Sequence, residues 1–105
     1  MKITLIGRPG RIVEKGGVVL TTMESSKPPL LSKGLPTPPE EPTTYVVYIA
    51  QKQWAKVAEA MQDAEDRLIL EGYPAFEKRL GAVVVYTTQV TTKNQQAAKR
   101  AKGEG

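Results

Sequence analysis

The chain has 105 residues and a mass of 11.5 kDa, the size of one domain with one modest core. It contains neither cysteine nor histidine, which removes disulfides, thiolate chemistry, the commonest metal ligands and the commonest general base. The formal net charge is +4, yet residues 93–105 carry a net +3 and residues 1–92 only +1, so the basicity that would point to nucleic acid belongs mostly to the C-terminal end.

The opening MKITLIGRPG lacks the apolar run of about 7–15 residues of a signal peptide and the run of about 20 residues of a membrane span. A soluble cytoplasmic protein is therefore the expectation. Residues 2–6 and 11–13 read as one broken strand, interrupted by Gly7 and Pro9-Gly10. The Gly16-Gly17 pair marks a turn into a second strand, Val18 to Met23. Residues 27–42 hold six of the eight prolines and are expected to form an extended loop, either a plain connection or a binding loop.

Thr43 to Ala50 (TTYVVYIA) is a third strand of β-branched and aromatic residues. Tyr45, Val47 and Ile49 fall on one face and Val46, Tyr48 and Ala50 on the other. A strand apolar on both sides is usually covered on both, by core on one and by a partner or ligand on the other. Trp54, Val57, Ala58 and Met61 then follow the i, i+3, i+4, i+7 spacing of a helix of about three turns, with Trp54 expected to plug the core. The cluster Asp63, Glu65 and Asp66 reads as a solvated turn, since no glycine-patterned calcium loop surrounds it.

Strands four and five come from LILEGYPAFEKRLGAVVVYTTQV, residues 68–90. Gly72 is expected to bend strand four, Tyr73-Pro74 to stop its ladder at an edge, and residues 75–81 to form a projecting hairpin tip. The polar, basic run 93–105 is expected to be a flexible tail. The fold class is thus all-β with one short helix. Five strands with the helix between the third and fourth follow the plan of a five-stranded OB-fold barrel over residues 1–92.

Within that plan, LIGRPGRIV near the start, WAKVAEAM on the helix and DRLILEGYPAFEKRLGAVVVYTTQVTT at the end resemble the bacterial single-stranded-DNA-binding proteins and their primosomal relatives. Lys52-Gln53-Trp54-Ala55-Lys56 stands where that family starts its helix, and Glu71-Gly72 matches its strand-four pair. The resemblance implies a sequence-nonspecific single-stranded-DNA-binding protein of replication, repair and recombination, with RNA as the alternative ligand. It also implies a homo-oligomer, dimer or tetramer, with no membrane partner.

Laid on the family's pattern, Tyr45 takes a stacking position, while the other three fall at Ser26, Gln51 and Arg79. Phe76 stands close to the last. Phosphate contacts are expected from Arg8, Arg11 and Lys15 in the first hairpin, Lys27 and Lys33 in the loop, and Lys78 and Arg79 in the last hairpin. The tail KRAKGEG is opposite in charge to the acidic tip by which the family recruits other proteins. No enzyme activity, cofactor or metal is expected. The alternative is an OB domain without nucleic-acid affinity that serves as a protein-interaction or assembly module, motivated by the near-neutral body and the doubly apolar third strand.

Overall fold

The computed structural model of the chain describes residues 1–24, 33–36 and 43–103, with side chains described through residue 100 in the last segment. The protein is mostly β. The described residues form strands β1 (Ile3–Gly7), β2 (Val13–Lys15), β3 (Val18–Glu24), β4 (Thr44–Ala50), β5 (Leu68–Glu77) and β6 (Ala82–Thr92), with helix α1 (Gln51–Ala55) between β4 and β5 and helix α2 (Lys93–Gly103) after β6. A single 3₁₀ turn, Ala60–Gln62, lies between α1 and β5. Most of the 27–42 loop lies outside the described residues. Among the described residues no helix is long and apolar enough to cross a membrane.

The six strands form one sheet in the order β1-β5-β6-β4-β3-β2. Every neighbouring pair is antiparallel except β4 and β6, which run parallel. Among the described residues no ladder joins β1 to β2, so the sheet is open, not the closed five-stranded barrel expected from the sequence. The physical reason lies in the first strand. Residues 8–12, with Pro9 and Gly10 among them, break it into two halves that pair at opposite edges. Six chain steps from Gly7 to Val13 reach at most about 22 Å, whereas six flat strands would be about 24 Å apart from edge to edge. The sheet must therefore curl, and the Gly10 amide bonded to the Thr22 carbonyl at 2.8 Å draws the break onto β3.

The concave side holds the core. Leu5 from β1, Val19 and Met23 from β3, Val47 and Ile49 from β4, Leu68 and Leu70 from β5 and Val85 from β6 are all buried there. The Trp54, Val57 and Met61 stripe closes one end, so the tryptophan is the core plug its spacing predicted. The expected three-turn helix is instead five residues of α1, irregular turns and the 3₁₀ turn. Its amides alternate between partners four and three residues back, as in Ala58 to Trp54 and Gln62 to Glu59. The apolar spacing thus survives although the regular helix does not.

Two turn features follow directly from residue type. Gly16 and Gly17, both at positive φ (59° and 81°), form the two-residue turn between Lys15 and Val18, the paired conformation that favours Gly-Gly in a tight hairpin. In the other hairpin, β5 pairs with β6 from Leu68↔Thr92 to Glu77↔Ala82, with one irregularity between Glu71 and Gly72. Glu71 faces Gln89 and Gly72 faces Thr87, so Thr88 is the extra residue of a β-bulge. Gly72, expected as the bend of strand four, stands opposite this bulge, and a close approach requires glycine there: a Cβ would stand 2.5 Å from the Tyr86 carbonyl oxygen and 2.7 Å from Val85 Cγ1.

Tyr73-Pro74 does not stop the ladder, contrary to expectation. Pro74 pairs with Val85, and the ladder continues to Glu77, leaving only residues 78–81 as the turn. Proline is tolerated because β1 pairs with β5 only as far as Gly72, so past that point the missing amide faces an unpaired edge.

The basic run read as a flexible tail is helical from Lys93 to Gly103. Ala, Lys, Arg and Gln are strong helix formers, and the first turn is capped: the Gln95 amide donates to Thr92 Oγ1 at 3.1 Å. Gly72→Ala tests the close approach in the β5–β6 hairpin. The added methyl meets backbone, and we expect a loss of about 1–3 kcal/mol in urea unfolding, against a smaller change for Glu71→Ala, half-buried on the outer face of the same strand.

Candidate nucleic-acid interface

The convex side of the sheet carries an unbroken cross-strand row of apolar and aromatic residues. Val13 faces Leu20, Leu20 faces Tyr48, Tyr48 faces Tyr86 and Tyr86 faces Tyr73. Directly opposed residues share a face, so these five positions cross β2, β3, β4, β6 and β5 in a line. Four strand spacings make it roughly 19 Å long. Tyr86 is 48% and Tyr73 46% exposed. The Tyr48 and Tyr86 rings are 5.4 Å apart and tilted by 46°. Beyond Tyr73, Lys2 places Nζ 5.9 Å from the ring centroid, within cation–π range.

Beside the middle of the row the sheet opens into a groove of about 540 Å³, walled by Lys15, Val18, Leu20, Tyr48 and Tyr86 and ending at Gln53. Gln53 is a fixed point. Its Oε1 accepts from the Ala50 amide at 3.0 Å, and its Nε2 donates to the Thr87 and Thr88 carbonyls at 3.3 and 3.1 Å. It ties the end of β4, the start of α1 and the β6 bulge into one unit.

Few of the expected site residues meet on this face. Lys15 lines the groove. Tyr45 does not: it lies on the concave side, packed against the core. Phe76 is 66% exposed but stands three residues beyond Tyr73 on the same strand, hence on the opposite face. Lys78 and Arg79 are exposed in the β5–β6 turn, Arg11 is exposed between β1 and β2, and Lys33 is exposed in a turn at 33–35. Lys27 and the position Ser26 lie outside the described residues. The tyrosines the sequence reading passed over, Tyr48, Tyr73 and Tyr86, are the ones brought together. The doubly apolar face of TTYVVYIA was the signal for Tyr48.

Arg8 has a different task from the one expected. Its guanidinium donates to the carbonyls of Met61 (3.0 Å), Asp63 (3.0 Å) and Asp66 (3.3 Å) and touches Met61 Sδ at 3.7 Å. It clamps the loop before β5. That loop in turn holds α2: the Asn94 amide donates to Asp66 Oδ1 at 3.1 Å, and the Lys93 amide to the Arg67 carbonyl at 3.0 Å. With the Thr92 cap, the first three amides of α2 all have partners, which a helix start requires. Asn94 Nδ2 also reaches Asp63 Oδ2 at 3.3 Å. Asp63 and Asp66 are therefore the socket for a helix, while Glu65 stays exposed in the turn as expected. Among the described residues no three acidic side chains converge as a cation site.

Asp66 is buried, 2% exposed. Burial pushes its carboxyl up, but amide donation from Asn94, the nearby Thr92 hydroxyl, the Arg67 amide and the Arg8 charge together outweigh that and hold it below its ordinary value of 3.8. Compared with family models, curated proteins and solved structures, the chain matches none.

Two outcomes follow from the clamp. Arg8→Ala should lower stability by about 1–3 kcal/mol, read by urea unfolding. Because the folded pKa of Asp66 lies below the unfolded one, its contribution is complete above pH 3.8 and is lost as pH falls through the folded value. Asp66→Asn should therefore flatten the fall in stability below about pH 4; an unchanged acid limb would contradict the assignment.

Proposed function

We propose that this chain is a sequence-nonspecific single-stranded-DNA-binding protein of OB type, serving DNA replication, repair or recombination, with single-stranded RNA as the alternative ligand. The OB reading is supported by strand order. Taking β1 and β2 as two halves of one broken strand leaves five strands, of which the third and fifth run parallel, with α1 between the third and fourth.

The observation that carries the ligand reading is the outward tyrosine row. Every base has a π-face, so a line of exposed rings holds a single strand without reading its sequence. Tyr73 and Tyr86 offer their faces, Tyr48 supports Tyr86 from the side, and Lys2 and Lys15 stand at the two ends where phosphates would pass. With a net charge of only +1 on residues 1–92, stacking carries a larger share of affinity than it would on a strongly basic face. Each base stacked on an aromatic contributes about 1–3 kcal/mol.

A second reading, the protein-interaction or assembly module, is favoured by one place. Phe76, Leu80 and Val83, exposed by 66%, 53% and 37%, gather at the free end of the β5–β6 hairpin. There a second copy would cover them in a dimer or tetramer.

Titration of labelled oligo(dT) separates the two readings. Tyr73→Ala and Tyr86→Ala should each weaken binding by about 5- to 150-fold at an unchanged unfolding midpoint. Phe76→Ala should leave affinity intact and shift the mass in solution. An absence of binding at about 20–50 mM salt, where phosphate contacts are strongest, would remove the nucleic-acid reading and leave the module.

A further inference from the structure

Past Gln53 and the Thr87–Thr88 bulge, the groove of the tyrosine row adjoins a second cleft of about 510 Å³. One wall is the convex face of β5 and β6, at Glu71 and Gln89; the others are Lys56, just after α1, and Gln96 and Lys99 on α2. Gln53 lines both hollows, so they lie side by side on the same face with Gln53 at their boundary. The first is aromatic and apolar, and the second is amide- and charge-lined.

We infer that the bound strand does not end at Tyr86 but runs on into this cleft, where Lys56 and Lys99 take a phosphate between them. This rests on the single-stranded nucleic-acid reading above and extends it to α2, a segment the sequence presented as a mere tail. The chemistry fits a nucleotide better than an apolar ligand. Lys56 and Lys99 have no ion-pair partner among the described residues, and both line the cleft from separate parts of the chain. The Gln89 and Gln96 amides are likewise without hydrogen-bond partners among the described residues. An unengaged amide can both donate to and accept from a base edge.

Glu71 fixes the polarity of the arrangement. Its carboxylate repels phosphate, which confines the backbone to the lysine side. On the opposite side it can accept from an exocyclic amino group, such as cytosine N4. Thymine presents no such donor. The socket formed by Asp63, Asp66 and Arg67 holds α2 in place by its first turn, so the Lys99 wall is built into the fold.

The test is the salt dependence of binding by the full chain. Each phosphate neutralised on a single strand contributes about 0.7 to the slope of log K against log salt. Lys56→Ala/Lys99→Ala removes both partners of one phosphate and should reduce the slope by about 0.7 for oligomers long enough to leave the tyrosine row. Lys52→Ala/Arg100→Ala, which removes two exposed charges from the same helices outside the cleft, should leave the slope unchanged. In the parental chain oligo(dC) should bind only modestly more tightly than oligo(dT), within otherwise sequence-tolerant binding, and Glu71→Gln should narrow that difference.

If the parental chain binds in a tyrosine-dependent way but Lys56→Ala/Lys99→Ala keeps the full slope, the cleft is not on the path and this inference fails while the ligand reading stands. An equal loss of slope in both double variants would also overturn it, because charge in general would then be responsible. If the parental chain binds no oligonucleotide, the ligand reading itself has failed.

Discussion

The close approach of Gly72 to the Tyr86 carbonyl, with Thr88 bulged out beside it, determines which way β6 faces. Ahead of the bulge Val85 points into the core and Tyr86 out. Without the extra residue the alternation would put Val90 outward. With it, Val90 packs against the core and Thr92 is buried at the start of α2. One inserted residue therefore lets an eleven-residue strand serve the core at both ends while turning a tyrosine to solvent in the middle. It also sets that tyrosine opposite Tyr73 and beside Tyr48. Any residue larger than glycine at 72 presses on backbone, which cannot give way as a side chain can.

Around this hinge the cations divide by environment. Arg8 is spent on three carbonyls and holds the loop before β5; neutralising it disturbs the socket of α2. Lys2, Lys15, Lys56 and Lys99 sit along the convex track with no ion-pair partner among the described residues. A nearly neutral body can thus present several unpaired cations on one face without a high net charge, with Asp63 and Asp66 turned to α2 and Glu71 in the cleft. Asp63 and Asp66 face the first turn of α2, where the helix dipole and unpaired amides favour them.

The strands were legible because β-branched runs and glycine turns mark them, and the Trp54 stripe was legible because its spacing reached the core even where the helix broke. The site was legible only in outline. TTYVVYIA has tyrosines on both faces, and nothing local says which face meets the core. Partners on β3 and β6 decide that, so Tyr45, expected at a stacking position, packs against the core while Tyr48 lies on the outer face. Arg8 looked like a surface cation because its acceptors lie 53 to 58 residues away. α2 looked like a tail because its cap depends on Thr92 and on Asp66, 28 residues before Asn94. In each case the missing information was a long-range contact, which local propensity does not contain.

The most direct measurement of where a single strand lies is an NMR titration of the labelled chain with oligo(dT), following backbone amides and tyrosine ring resonances together. Shifts should concentrate at Tyr48, Tyr73 and Tyr86 and continue through Thr87 and Thr88, with the Tyr45 ring and Phe76 nearly still. Shifts centred on Phe76, Lys78 and Arg79, with the tyrosine row unmoved, would contradict this placement of the strand.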